Sequence, residues 1–127
     1  MNTFKKAERL KLDKQISNLF TNGRWISSRH LRVVYLESDK HMQYPVQVMV
    51  SVSKKNFKRA VKRNMLKRRM REAYRVQKGE FYKGLMNLNS NILLGIIYNS
   101  TDVIDFSVID RELKGLLLRI TSRVEKF

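Results

Sequence analysis

The 127-residue chain has no cysteine and a single proline, Pro45. Without cysteine there is no disulfide framework and no thiolate metal cluster, which suits a reducing cytoplasm. With one proline and five glycines there is no Pro/Gly-rich linker, and no repeat or low-complexity tract appears. No segment approaches the roughly 20 apolar residues that span a bilayer. The opening "MNTFKKAERLKLDKQ" has no apolar signal-peptide region, so the chain reads as soluble, unexported and cytoplasmic. Protein-borne catalysis also lacks its usual parts. The two histidines, His30 and His41, have no Ser or Asp partner at a telling spacing and read as structural, in a strand and its turn. Glu37, Asp39, Asp102, Asp105 and Asp110 read as turn and cap residues rather than a two-metal cluster, and no "HExxH", Walker loop or "GxGxxG" occurs. No catalytic residue and no metal ligand is expected in the protein.

Apolar residues are plentiful at 43%, enough for a real core, and the length suits one domain over residues 1–127 with a flexible 1–12. "DKQISNLFTNG" reads as a short helix capped by Asp13 and ended by Gly23, with Ile16, Leu19 and Phe20 on one side. "RHLRVVYLES" and "YPVQVMVSVS", rich in β-branched and aromatic residues and separated by polar "DKHMQ", read as a hairpin with Pro45 at the start or edge of its strand. The continuous apolar run "SNILLGIIYN" predicts a central strand buried on both faces. In "DFSVIDRELKGLLLRITSRV", Ile109, Leu113, Leu116, Leu117 and Ile120 recur at the spacing of one helical face, capped by Asp105 or Ser107. The expectation is an α+β fold, an α/β sandwich of three helices and a small mixed sheet of about four strands. A βαβ crossover through the middle helix joins the buried strand to an earlier one.

That middle helix carries most of the charge. Of the formal +16, residues 54–78 contribute twelve basic side chains against one acid, Glu72, whereas residues 79–127 are neutral. Charge this concentrated repels itself and points to a polyanionic partner. On a helical wheel Leu66, Met70, Ala73 and Tyr74 share an arc that can face a sheet. Asn64, Lys67, Arg68, Arg71 and Arg75 share a second arc, some 140° away, with Arg69 on the other flank of the core stripe. A merely solvated helix would offset its cations with acids at i,i+4, and only Glu72 is available. Arg outnumbers Lys over residues 63–75, and its planar fork suits phosphate oxygens, while Asn64 can meet a base or sugar. An interfacial membrane helix needs a free apolar face, and here the core requires it, so no membrane partner is expected.

At these residues the sequence resembles a known family. "SVSKKNFKRAVKRNMLKRRMREAYR", residues 51–75, resembles the signature of the bacterial ribonuclease P protein component. That signature is a strand ending in Ser-Val-Ser/Ala-Lys-Lys, then a helix bearing Arg-Asn-Xaa-Xaa-Lys-Arg-Xaa-Xaa-Arg-Glu. Arg63, Asn64, Lys67, Arg68, Arg71 and Glu72 match it. "ERLKLDKQISNLFTNGRW" resembles the family's opening, so the likeness covers nearly the whole chain. Two positions depart: Met65 stands where a third basic residue is usual, and Ile16 where an aromatic is common. Met65 falls outside the polar arc, so only that contact is in doubt.

The resemblance implies a subunit that binds a catalytic RNA and helps it remove the 5′ leader of precursor tRNA. The RNA holds most of the Mg²⁺ and performs the hydrolysis, and no protein partner is required. Carried over, the RNA-facing set is Arg63, Asn64, Lys67, Arg68 and Arg71, with Lys54 and Lys55 from the preceding turn and Arg75 from the wheel. The leader cleft would use Ile16, Phe20 and either Val34 or Tyr35. Phe20 fits stacking and core equally, Trp25 and Tyr35 fit core better, and Arg9 and Lys11 fit the cleft rim or a charged terminus. A structural RNA-binding protein, such as a small ribosomal protein, is the alternative from another class; a DNA-binding reading lacks helix-turn-helix spacing.

Overall fold

The computed structural model describes residues 8–11, 13–38 and 43–124. The elements are α1 (Asp13–Asn22), β1 (Arg24–Ser27), β2 (Leu31–Ser38), β3 (Val46–Val52), α2 (Ala60–Asn87), β4 (Asn91–Tyr98) and α3 (Phe106–Val124). The sheet order is β1-β2-β4-β3, with β1–β2 and β2–β4 antiparallel and β3–β4 parallel. This is the expected mixed sheet of four strands with three helices, and β3-α2-β4 is the expected βαβ crossover. α1 packs on one face of the sheet, α2 and α3 on the other.

The expected β2–β3 hairpin does not form. β4 lies between these strands, because its apolar run is buried on both faces and is best satisfied with a neighbour at each edge. The hairpin is β1–β2 instead, closed at Ser28, whose N–H donates to the Leu31 carbonyl at 2.8 Å. Pro45 precedes edge strand β3, where its missing N–H leaves no ladder bond unmade.

Between sheet and α2/α3 lies the main core. Leu66, Met70, Ala73 and Tyr74 are fully buried there, as the wheel requires, and Ile109, Leu113, Leu116, Leu117 and Ile120 line α3. α2 continues past Arg75 because Phe81 and Leu85 extend its apolar face. It ends where Asn89 turns left-handed at φ 55°, letting the N–H groups of Asn89 and Ser90 reach the carbonyls of Met86 and Leu85. α3 starts at Phe106, so Asp105 takes the cap position; its carbonyl accepts from the N–H groups of Val108 and Ile109.

Of the 1–12 segment expected to be flexible, residues 8–11 are described, with Glu8 and Leu10 buried and Arg9 and Lys11 exposed. The Leu10 N–H donates to the Val48 carbonyl at 2.9 Å, Arg9 bridges Val48, and Leu10 is buried. This segment covers the outer edge of β3, which would otherwise present unpaired backbone groups. Among the described residues no helix is long and apolar enough to cross a membrane.

Candidate nucleic-acid interface

Because one side of α2 is fixed to the sheet, the opposite side is held rigidly outward. Asn64, Arg68 and Arg71 are exposed there and Arg75 is half-buried; together they line an open groove of about 640 Å³. Arg9, Val61, Met65 and Glu72 complete the lining. Met65 therefore borders the cationic groove rather than lying clear of it, so the departure from the family pattern puts an apolar wall inside the groove. Lys67 stays on the flank, half-buried and outside the groove lining.

Arg63 also makes bonds within the chain. One of its terminal nitrogens donates to the carbonyls of Phe57 and Lys58, both at 2.8 Å. It braces the loop between β3 and α2, where Lys54 and Lys55 are exposed and Phe57 is buried edge-on against Tyr98. No side chain caps the start of α2 and no acid sits in its first turn, so the positive end of the helix adds to the field of these lysines. Arg69, on the other flank, donates to the Ile104 carbonyl at 2.7 Å and ties α2 to the loop before α3.

Glu72 partly offsets the stripe. Its carboxylate pairs with the Arg75 guanidinium at 2.6 and 3.0 Å; that hydrogen bond holds the carboxyl below its usual range and raises Arg75. Repulsion is thus relieved at Arg75 and left standing at Arg68 and Arg71.

The stripe ends at an arrangement that the sequence did not announce. Lys78, one further turn along α2, is buried, with Nζ at 2.8 and 2.9 Å from the two carboxylate oxygens of fully buried Glu8. The Tyr82 hydroxyl also donates to Glu8 and receives the Tyr74 hydroxyl at 3.2 Å. Burial raises both phenols well above their ordinary values, and the hydrogen bond to Glu8 raises Tyr82 further, so the hydroxyls stay protonated and donating.

The second candidate surface is the α1 face of the sheet. Strand alternation decides between the two β2 residues: Val34 points toward α1, whereas Tyr35 points into the main core and cannot line a cleft on the α1 side. Even Val34 is fully buried, so it forms the floor beneath α1 rather than a contact wall. Register lines up Trp25, Val34, Gly95 and Met49 across the four strands. Gly95 is the notch in that row: a Cβ there would lie 2.9 Å from a Val34 methyl, 3.6 Å from Leu19 and 3.7 Å from Phe20. Gly23 allows a similarly close return of the chain after α1, since a Cβ would meet the Leu19 carbonyl at 2.3 Å.

Phe20 is 38% exposed and Ile16 half-buried on this side. Trp25, expected in the core, is half-buried on the open face, edge-on to Phe20 with centroids 5.4 Å apart, and the Arg32 guanidinium sits 4.4 Å above its ring. An aromatic just past a helix-ending glycine was the available signal.

His30 is satisfied structurally. Its backbone N–H and Nδ1 lie 2.8 and 2.6 Å from the carboxylate of Glu112 on α3, which also accepts from the Ser28 hydroxyl. Burial pushes Glu112 upward, but the Ser28 and His30 hydrogen bonds outweigh it and hold the carboxyl below its usual range. His41 and Asp39 fall outside the described residues. Glu37 lies in β2, not a turn, and Asp110 lies within α3, accepting from the Gln77 amide. Among the described residues no three His, Asp or Glu side chains come together to hold a metal ion.

Comparison with known proteins agrees with this architecture. The ribonuclease P family model matches residues 4–121. The ribonuclease P protein component of Porphyromonas gingivalis is 36% identical over 119 residues, 94% of this chain and 87% of that one. That of Chlorobium phaeobacteroides is 41% identical over 85 residues, 65% of this chain and 58% of that one. The Staphylococcus aureus RNase P protein shares the fold with a TM-score of 0.72 at 24% identity, over 91% of this chain and 95% of that one. The Thermotoga maritima RNase P protein gives 0.69 at 25% identity, over 88% and 96%. A four-stranded sheet with the basic helix in its crossover, matched along nearly its full length, places the chain in the ribonuclease P family, to which it belongs as a protein component.

Proposed function

We propose that this protein holds the catalytic RNA of ribonuclease P along the exposed face of α2 and the single-stranded 5′ leader of precursor tRNA along the α1 face of the sheet. The RNA then performs Mg²⁺-dependent hydrolysis. The observation that carries this reading is the pairing of two unlike open surfaces on one rigid sheet. One is a cationic groove through Asn64, Arg68, Arg71 and Arg75; the other is a half-open aromatic face around Phe20 and Trp25. Cations on a helix that cannot swing away neutralise phosphates without base specificity. An exposed aromatic ring face stacks any base, at roughly 1–3 kcal/mol each, which suits leaders of varied sequence.

Mg²⁺ belongs with the RNA in this scheme. The Lys and Arg side chains would replace part of the counterion atmosphere that Mg²⁺ otherwise supplies. Reconstitution with the catalytic RNA and a leader-bearing tRNA tests this. The protein alone should cleave nothing, and with its RNA it should raise cleavage most at low Mg²⁺. It should also strengthen binding of precursor more than of mature tRNA. Protein-only cleavage that survives removal of all RNA would overturn the reading.

A further inference from the structure

We propose that the buried Glu8–Lys78 ion pair is a clamp that sets Arg9 as an additional phosphate contact at the end of the α2 groove; this rests on the RNA-binding reading of that groove. By helical arithmetic Lys78 lies within roughly 40° of Lys67 and Arg71, on the flank of the cationic stripe where exposure is expected. It is buried instead, covered by a carboxylate delivered from the other end of the chain.

Burying two charges is costly, and their attraction only roughly offsets the cost; an apolar pair would hold the segment as firmly. What the ion pair adds is one register. Glu8 accepts two bonds from Lys78 and one from Tyr82, so a slip by one residue would strand its charge. Two residues on, Leu10 is pinned to the Val48 carbonyl and buried among Leu19, Val34 and Leu93 beneath α1. Arg9 stands between these two fixed points, exposed, and lines the groove with Asn64, Arg68, Arg71 and Arg75. A charge held this way loses little freedom when a phosphate arrives. Its place is also informative: the segment passes from the α2 layer to the α1 layer around the edge of β3. Arg9 therefore extends the cationic groove toward the aromatic face, and Glu8, which touches no RNA, is a positioning residue.

The test is the dissociation constant of the full-length protein for its full-length catalytic RNA over a monovalent-salt series at fixed Mg²⁺, with thermal melts to verify folding. Arg9→Ala should weaken binding a few-fold and reduce the slope of log K against log salt by about 0.7–0.9. Glu8→Gln discriminates more sharply. It raises the net charge by one, so a charge-only account has it bind RNA more tightly; the clamp has it bind more weakly, with the same loss of slope. The double variant should be no weaker than Arg9→Ala alone. If Glu8→Gln does not fold, Tyr82→Phe, which deletes one hydrogen bond to the carboxylate, should show part of the same loss. A folded Glu8→Gln, or in its place Tyr82→Phe, with wild-type or tighter binding overturns the clamp, as does an unchanged slope in Arg9→Ala. Arg68→Ala run alongside separates the two levels: if it too leaves binding unchanged, the groove reading fails and the clamp with it.

Discussion

The two faces of the sheet have been finished to different degrees. On one, α2 and α3 close over a continuous core in which Val33, Val48, Leu94 and Ile96 are essentially inaccessible. Most polar groups between these layers are paired: Gln77 reaches Asp110, Arg69 reaches the Ile104 carbonyl, and Glu112 collects Ser28 and His30, while the buried Tyr35 hydroxyl has no hydrogen-bond partner among the described residues. On the other face the fully buried cluster is Leu10, Leu19, Val34 and Leu93, while Ile16, Trp25, Leu36, Met49 and Ile97 remain partly open. A ten-residue helix is about 15 Å long and cannot cover four strands, the longest of which run to roughly 26 Å. Stability is drawn from the closed face. Among the described residues the open one keeps partly exposed apolar and aromatic surface, the surface that the proposed leader contact would use.

Truncation on the closed face should have the largest effect. Met70→Ala leaves a cavity among fully buried neighbours and should cost about 2–5 kcal/mol in chemical denaturation. Met49→Ala, the partly open counterpart, should cost under about 1 kcal/mol, because water already reaches the site. Equal losses would mean that the α1 face is as closed as the other. Next comes the notch beneath α1. Gly95→Val puts a branched side chain where even a Cβ is 2.9 Å from Val34, so it should destabilise by roughly 1–3 kcal/mol. By lifting Leu19 and Phe20 it should also reduce the preference for precursor over mature tRNA, measured by competition binding. A stability loss with that preference intact would separate α1 from leader binding.

A smaller effect is expected where a charge helps close the α3 side. The Glu112 carboxyl is held below its usual value in the folded chain, so it binds its proton less readily there than when unfolded. Its stabilising contribution is therefore complete above the ordinary carboxylate range and is lost as pH falls through the depressed folded value. Glu112→Gln should flatten the acid limb of the stability profile. Parallel acid limbs in the two proteins would show that the Ser28 and His30 contacts leave no linkage.

The part of this that periodicity can encode was legible in the sequence. The 3.6-residue repeats of Leu66, Met70, Ala73 and Tyr74 and of Ile109 through Ile120 placed both large helices, and the unbroken run at 92–97 marked the central strand. Strand order was less accessible, because β2 and β3 look alike whether they pair directly or admit β4 between them; only the burial of β4 on both faces decides. Val34 and Tyr35 could not be told apart, since a slip of one residue exchanges the two faces and β2 is apolar on both. Glu8 and Lys78 are seventy residues apart, and nothing local distinguishes a lysine that will be buried from one that will be solvated. Trp25 reads as core because tryptophan is highly buried on average, and its openness follows from how little of the sheet α1 covers.

Between the faces, Phe20 offers a test in which fold and function should part. Being 38% exposed and edge-on to Trp25, it contributes little to the core, so Phe20→Ala should lower stability by about 1 kcal/mol or less. The precursor advantage over mature tRNA should nonetheless shrink by about 1–3 kcal/mol if a leader base stacks there. An unchanged advantage in a folded variant would move leader binding elsewhere.

The smallest expected effects distinguish a docking stripe from a diffuse cloud of charge, and the structure dictates the controls. Arg69 would be the obvious charge to remove from the far flank of α2, but its bond to the Ile104 carbonyl means that Arg69→Ala disturbs the closed face as well as the charge. Lys83, exposed on the same helix beyond the buried Lys78, is the better reference. Arg68→Ala and Arg71→Ala each remove a cation from the groove with no intramolecular bond among those described to compensate, so each should weaken binding to the catalytic RNA a few-fold. Each should also flatten the salt dependence by about 0.7–0.9, as one lost phosphate contact requires. Arg75→Ala should lose less, because Glu72 already neutralises part of that charge before RNA arrives, whereas Glu72→Gln should strengthen binding slightly. Lys83→Ala should match the wild type in slope. Dissociation constants across a salt series decide it: equal losses in all four alanine variants would mean that total charge, not the rigid presentation of one helix face, drives association.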